Sequence, residues 1–311
     1  MTHKFLLLSA IALLVGACSA DVKTKLDAPK ISAQKTDAQI PQGATTVSYI
    51  PAPINPPAGQ QYLYGSAEAS IILRQSWANV ADFVVGAARD ENAKSVIAEK
   101  WEDAASPHFE NCGNKPKAAV FDADETLIWN VGSMRYFAEN AMEFDPVIWD
   151  EWERTGAGKA VAIPGAIDAL SKIRGAGIAI IVNTNRSNKN VKGTVDTLKA
   201  AGIGEYFHGE NLFLRGDTPG GSDKDGRREI IAQKYCVIAL VGDQLGDIND
   251  RFNDKGLSPK MRKALSDNPA ISTLWGKGWF IFPNPIYGPS ITGGYGDIYD
   301  DETKWTPPKG Q

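Results

Sequence analysis

Two carboxylates set two residues apart, Asp122 and Asp124, follow a short apolar run at 118–121 that Lys117 bounds on its other side. Such a run reads as a buried strand, and open α/β sheets bind ligands just beyond the carboxyl ends of their strands. Asp122 therefore stands where a nucleophile or a metal ligand is useful, and Asp124 projects from the turn beyond it. Alone, the pair is equally well a polar strand-to-loop junction. A calcium loop fits poorly, because the Gly required at its sixth position is Leu127 and the Glu required at its twelfth is Ser133. Three further groups stand at comparable places downstream. Thr184-Asn185-Arg186 follows an apolar run at 178–182, Lys224 opens a helical stretch, and Gly242-Asp243 with Asp247 follows a run at 237–241. Each has a plain explanation by itself: turn residues, a solvated lysine, a solvated acidic loop. In this order, at successive strand ends, they converge on one crevice.

That convergence needs a scaffold, and the pattern from Ile163 onward supplies one. Pro164-Gly165 opens a helix over 166–174, which Gly175 and Gly177 end. After the run at 178–182 come a helix over 191–201 stopped by Gly202, a short strand near 212–214, a helix over 225–235 and the strand at 237–241. A last strand over 279–282 is closed by Pro283-Asn284-Pro285-Ile286-Tyr287-Gly288. Strands alternating with helices imply an α/β domain with a parallel sheet covered on both faces. Upstream, Ser66 is a candidate N-cap with Glu68 in the first turn, and Ile72, Leu73, Trp77, Val80 and Val84 recur at helical spacing as a core stripe. Further helical stretches are expected over 91–104 and over 133–154, the latter carrying Met134, Phe137, Met142, Trp149 and Trp152. These two stretches read as a small helical cap over the crevice.

Asp122-Ala123-Asp124-Glu125-Thr126, Thr184-Asn185-Arg186, Lys224 and Gly242-Asp243 with Asp247 are similar to the four motifs of haloacid dehalogenase (HAD) superfamily phosphohydrolases. More narrowly, the chain resembles the lipoprotein-e-type class C acid phosphatases. Ser66-Ala67-Glu68, Trp149 with Trp152, Ile163-Pro164-Gly165-Ala166 and the closing 283–288 segment add to the likeness, which covers roughly 61–288. The resemblance implies a Rossmann-like three-layer sandwich with a central parallel sheet and a small, mainly helical cap. It implies phosphomonoester hydrolysis through an aspartyl-phosphate, a route that divides one displacement into two easier ones. Asp122 would attack, and Asp124 would serve as general acid and then general base. Asp122, the main-chain carbonyl of Asp124, Asp243 and Asp247 would hold Mg2+, a hard cation that favours oxygen ligands. Thr184, Asn185 and Lys224 would bind the phosphoryl group. Nucleoside 5′-monophosphates and similar small esters are the implied substrates, with Tyr287 stacking on the base and Phe109 or Trp129 as candidates for the second face. A narrower 5′-nucleotidase, a phosphotransferase, and a non-catalytic haem- or nucleotide-binding lipoprotein are the alternatives. In the family's sheet order the strands bearing Asp122 and Asp243 are neighbours, so Cys112 and Cys236 should lie near one edge. A disulfide between them is a testable pairing, and two free thiols are the other reading.

The leader points to an export route. Met1 to Ala20 has a short basic start, an apolar core over 5–15 and small residues before Cys18, a secretory signal too short to span a bilayer stably. Val15-Gly16-Ala17-Cys18 resembles a bacterial lipoprotein cleavage box, which implies removal of the signal, lipidation of Cys18 and anchoring to the membrane. Ser19 after the cysteine points to the outer membrane, with the domain outside the cytoplasm. The segment 19–60 is rich in Ala, Pro, Lys, Gln and Thr and reads as a flexible tether. The phosphatase domain is then expected over 61–305, its cap drawn from about 61–110 and 130–162. With 311 residues, a mixed-sign net charge of −4 and three histidines, one of them in the leader, the chain offers no footprint for a nucleic-acid polymer and no set for a multi-histidine zinc site. A homo-oligomer stays open at this stage.

Overall fold

The structure is a computed structural model that describes residues 55–99, 101 and 107–308. The leader, Cys18 and nearly all of the expected tether lie outside the described residues. The first described element is a single turn, α1 (Ala58–Gln60), followed by helix α2 (Ala67–Ala87), whose N-cap Ser66 accepts a hydrogen bond from the Ala69 amide at 3.0 Å. A hairpin of β1 (Lys94–Glu99) and β2 (His108–Asn111) comes next, and then the central strand β3 (Lys117–Phe121). A small ribbon, β4 (Ile128–Trp129) paired with β5 (Val161–Ala162), brackets helices α3 (Val131–Glu139) and α4 (Pro146–Thr155). The rest alternates: α5 (Ala166–Gly175), β6 (Ala179–Ser187), α6 (Val191–Ala200), β7 (Leu212–Arg215), α7 (Asp225–Lys234), β8 (Cys236–Gly242) and β9 (Trp279–Ile281).

Five parallel strands form the main sheet in the order β7-β6-β3-β8-β9. Strand side chains alternate between faces, and β3 feeds a separate apolar cluster on each. Ala119 and Phe121 join the cluster under α2 and α5, while Ala118 and Val120 join the one beneath Ile231 of α7. A strand apolar on both faces is what parallel sheets require. The pairing with β8 slips by one residue between Ala118 and Ala119, so Ile238 and its neighbour Ala239 both fall in the first cluster. Beyond the slip, Phe121 stands opposite Val182 of β6 and Val241 of β8. Strands β3 and β8 thus end nearly level while β6 runs on past them, and the Asp122 amide continues the ladder to the Val241 carbonyl at 2.9 Å. That registration brings residues 122, 183–186 and 243 to one rim.

Two expectations need correction. The stretch 91–104 is not helical over its described part: residues 94–99 are strand β1. Val96, Ile97 and Trp101 pack in the second core cluster, and Trp279 Nε1 donates to the Val96 carbonyl at 2.7 Å. Tertiary burial beside β8 outweighs the weak local helical preference. Nor does 67–110 build the cap. In α2, Leu73, Trp77, Val80 and Val84 are buried in the first cluster, and Trp77 stacks on Phe121 of the sheet with ring centroids 5.6 Å apart. The cap therefore consists of α3 and α4, together with the approach to α2 through α1.

The cysteines close the opposite end of the sheet. Cys112 and Cys236 form a disulfide with their Cα atoms 4.9 Å apart. Cys236 opens β8 beside Lys117, at the amino end of the strands and away from the rim that carries Asp122.

Candidate active site

Three carboxylates converge at the rim. Asp122, Asp243 and Asp247 each offer an oxygen, all within 4.8 Å of one another. Asp247 reaches the others because the loop after β8 folds back tightly: its Oδ2 accepts from the Gln244 amide at 2.9 Å. A Cβ on Gly242 would overlap the Asp247 side chain, so only glycine permits that approach. Lys224, the N-cap residue of α7, lies between two of the acids, with Nζ 2.5 Å from Asp122 Oδ1 and 2.7 Å from Asp247 Oδ1. It also donates to the Asn183 carbonyl at 2.9 Å. Among the described residues Asp243 receives neutral donors alone: Thr126 at 3.2 Å, Asn284 at 2.8 Å and Gln244 at 3.0 Å.

The charge balance is lopsided, and proton affinities follow it. Burial pushes Asp122 up to about 7 against the pull of Lys224, with Asp247 and Asp124 adding to the rise. Burial and the neighbouring Asp247 and Asp122 hold Asp243 well above the usual carboxylate range. Burial alone would lower the Lys224 ammonium, yet Asp122 and Asp247 outweigh it and raise its pKa. Two buried acids and a partly buried third, with one lysine bonded to two of them, make an all-oxygen donor set short of positive charge. A hard divalent cation suits such a set.

Asp124 stands apart from this cluster and has its own cation. Arg186, whose side chain is 0 % exposed, places Nε 2.9 Å and Nη2 2.8 Å from Asp124 Oδ1. The Asn130 amide nitrogen donates to the same oxygen at 2.9 Å. Glu125 between them takes a positive φ of 55°, an uncommon backbone for a non-glycine residue. This turns its carboxylate inward, where Tyr64 donates at 2.9 Å, the Asn130 amide at 2.9 Å, and the Tyr287 hydroxyl also donates. Burial and then Asp124 raise the Glu125 pKa. One buried glutamate thus ties the approach to α2, the start of α3 and the C-terminal loop to the acidic turn.

The phosphate-binding candidates divide. Lys224 and Asn185 line the crevice, whereas Thr184 is fully buried and its Oγ1 accepts from the Arg186 amide at 3.2 Å. These residues belong to β6 itself, which runs through Ser187 rather than ending near Val182. Arg227, fully buried on α7, donates to the Thr184 carbonyl, to Asn185 Oδ1 at 2.5 Å and to the Asp223 carbonyl at 3.0 Å. With Oδ1 held, Asn185 has its Nδ2 donor left for a ligand. Sequence reading gave Arg227 and Arg228 no part. Their spacing of three and four from Lys224, one helical turn, was the available signal. Asn130, Glu125 and Asn284 carried no comparable signal.

The crevice above these groups is a cavity of about 770 Å³. Phe137, Phe144 and Trp149 from the cap and Tyr287 from the C-terminal loop contribute its aromatic lining. Tyr287 is therefore where stacking would need it. The two candidates for the second face are not. Phe109 packs against Trp279 in the second core cluster, and Trp129 packs edge-on to Tyr64 within the first. Trp129 is buried and Phe109 partly so, each against other parts of the domain and neither among the residues lining the crevice.

Comparison with known proteins agrees with this geometry. A family model described as HAD superfamily, subfamily IIIB (Acid phosphatase), matches residues 65–290. Among curated relatives, a stem 28 kDa glycoprotein of Glycine max is 30% identical over 135 residues, 42% of this chain and 51% of that protein. Acid phosphatase 1 of Solanum lycopersicum is 25% identical over 174 residues, 54% of this chain and 66% of that protein. The match thus spans half to two thirds of these relatives. Among solved structures, the class C acid phosphatase from Bacillus anthracis superposes with a TM-score of 0.59 at 23% identity, over 78% of this chain and 89% of that one. Its tungstate-bound form superposes with a TM-score of 0.60 at 22% identity, over 80% and 90%. At that identity the likeness speaks for the fold.

Proposed function

Because the chain belongs to the HAD superfamily, subfamily IIIB acid phosphatases, we propose that it hydrolyses small phosphomonoesters through an aspartyl-phosphate on Asp122. The observation that carries this reading is the separation of two carboxylates only two residues apart into unlike surroundings. Asp122 lies against Lys224 in the three-acid cluster, and Asp124 lies against Arg186 outside it. In the first step an Asp122 oxygen forms a bond to phosphorus while the bond from phosphorus to the ester oxygen breaks. The electron pair of that bond leaves with the ester oxygen, which takes the proton of Asp124. In the second step Asp124 removes a proton from water, the water oxygen attacks phosphorus, and the carboxylate of Asp122 departs. Lys224 and the Asn185 amide hold the phosphoryl oxygens, so positioning and fixed charge supply most of the acceleration.

Mg2+ is the proposed cofactor, held by Asp122, Asp243, Asp247 and the main-chain carbonyl of Asp124. When bound, it neutralises the phosphate and its attacking carboxylate, which would otherwise repel each other. The donor set supports this assignment, since Asp243 has hydrogen-bond donors but no cationic side chain of its own. Nucleoside 5′-monophosphates are the proposed substrates, supported by the aromatic lining from Phe137, Phe144, Trp149 and Tyr287. The proposed location is the bacterial outer membrane, anchored through Cys18, with the domain outside the cytoplasm. Two features support it: the Val15-Gly16-Ala17-Cys18 box and the Cys112–Cys236 disulfide, a bond rare in reducing compartments.

The test is turnover of a panel of phosphomonoesters by the wild type, with and without EDTA, and by Asp122→Asn. Loss of turnover in the variant and in EDTA is expected. Full activity of Asp122→Asn would sink the mechanism, and no turnover of any ester by the wild type would sink the activity itself. For the anchor, metabolic labelling with palmitate should tag the full chain and spare Cys18→Ala.

A further inference from the structure

Asp124 is a crevice carboxylate held by an arginine and an asparagine, and the holding is one-sided. Oδ1 accepts two hydrogen bonds, from Arg186 Nε at 2.9 Å and Asn130 Nδ2 at 2.9 Å, and Arg186 Nη2 lies 2.8 Å from it in ionic contact. Oδ2 has a single long contact, Arg186 Nε at 3.2 Å. The holders are themselves held. Asn130 Oδ1 accepts from Arg186 Nη2 at 2.8 Å and from Trp152 Nε1 of cap helix α4 at 2.8 Å. Both Asn130 and Arg186 are buried, whereas Asp124 keeps 14 % of its side chain exposed and lines the crevice. A carboxylate oxygen has two lone pairs, so the two donors fill Oδ1 and leave it no place for a proton.

From this geometry we infer that Arg186 and Asn130 are positioning residues that saturate Asp124 Oδ1 and leave Oδ2 as the atom that carries the proton to and from the leaving group. The inference rests on the reading of Asp124 as general acid. Arg186 touches Asp124 and Asn130, and it is not among the residues lining the crevice. It acts on the reaction through the carboxylate it orients. The transfer is simple in its balance. The Oδ2–H bond breaks, its proton joins the ester oxygen as the P–O bond breaks, and the negative charge stays on a carboxylate already facing a guanidinium. Trp152 extends the arrangement into the cap, so the orientation of the acid and the placement of α4 are one assembly. A planar fork lets Nε bond Asp124 while Nη2 bonds Asn130, which is why lysine would not serve equally well.

The test compares two substrates on the full chain in Mg2+. Nitrophenyl phosphate expels a stable phenolate that needs no proton, whereas a simple alkyl phosphate expels an alkoxide that does. General acid catalysis contributes roughly 10²–10⁴-fold. Arg186→Lys should therefore cost the alkyl ester about 10²-fold more in kcat/KM than the nitrophenyl ester, with KM little changed. The ratio of the two kcat/KM values cancels the fraction of folded enzyme, so partial misfolding does not disguise the result. Trp152→Phe, a milder change, should move the ratio in the same direction by less. Equal losses on both esters, or a rise in KM with kcat intact, would overturn the role assigned to Arg186. Asp124→Asn separates the two levels. If it discriminates between the esters and Arg186→Lys does not, the positioning inference fails alone. If Asp124→Asn does not discriminate, the general-acid reading beneath it fails as well.

Discussion

Lys224→Met removes the cation that lies between Asp122 and Asp247, and the consequences can be worked through before any substrate is added. Both carboxylates are about 8 % exposed and the lysine 5 %. Removing one partner from a buried ion pair costs about 3–5 kcal/mol, because the charge left behind is neither paired nor solvated. For a domain of this size about 1 kcal/mol moves the melting temperature by roughly 2–4 °C, so a drop of about 6–20 °C is expected in EDTA. The drop depends on pH in a definite direction. Asp122 already titrates near 7 with Lys224 in place, far above the usual value of about 3.9 for an unfolded aspartate. A raised folded pKa means the native state binds more protons than the unfolded one. Its stability is therefore full below the unfolded value and falls as pH rises through the folded value. Without Lys224 the folded pKa climbs further, and at pH 5.5 the carboxyl is neutral and tolerates the missing cation. At pH 8 it must either ionise unpaired or keep a proton that the unfolded chain gives up, and both cost stability. Scanning calorimetry in EDTA should thus show a larger deficit for the variant at pH 8 than at pH 5.5. Added Mg2+ should rescue the variant more than the wild type, since the metal supplies the missing charge. A deficit that is absent at pH 8, or larger at pH 5.5, would refute this account of the cluster.

Gly242→Ala should fold and lose activity, because the new Cβ displaces Asp247; a misplacement of about 1 Å in such a site costs on the order of 10²-fold in rate, checked by kcat/KM alongside circular dichroism. Glu153→Ala removes a fully buried acceptor that receives Trp149 Nε1, the Ser187 amide and Asn190 Nδ2, each at 2.9 Å. Leaving those donors unsatisfied should cost about 1–3 kcal/mol apiece and loosen α4 from β6, visible as faster hydrogen exchange in α4. Replacing Cys112 and Cys236 with serine should destabilise the domain by about 2–5 kcal/mol in denaturant titrations while leaving kcat unchanged, since the bond lies at the far end of the sheet. An effect on kcat at full folding would contradict that placement.

What the sequence made legible was whatever depends on a strand and its end. The run 118–121 is apolar on both faces because it is the middle strand of five, and any residue following it must emerge at the rim. Asp122, Asp243 and Lys224 were readable for this reason. Residues whose placement depends on packing between distant elements were not. Val96 and Ile97 look helical until Trp279, 183 residues from Val96 along the chain, offers its indole to the Val96 carbonyl. Phe109 and Trp129 looked free for a ligand because nothing local says that Trp279 and Tyr64 will cover them. Glu125 resembled one more acidic loop residue, although its positive φ turns it into the buried hub for Tyr64, Asn130 and Tyr287.

The two aspartates of the opening motif cannot be told apart by anything within the motif. Their difference is imposed by cations brought from elsewhere. Lys224, 102 residues from Asp122, arrives at the N-terminus of α7, and Arg186, 62 residues from Asp124, arrives on β6. The sheet order makes the assignment unavoidable. With β6 on one side of β3 and β8 on the other, the turn after β3 carries Asp124 toward Arg186, while Asp122 stays level with Asp243 at the end of β8. Exchanging the two roles would require exchanging β6 and β8 about β3, not exchanging residues. The short motif is therefore divided by this topology: one carboxylate shares a lysine with Asp247, and the other is held by an arginine mainly through one of its oxygens.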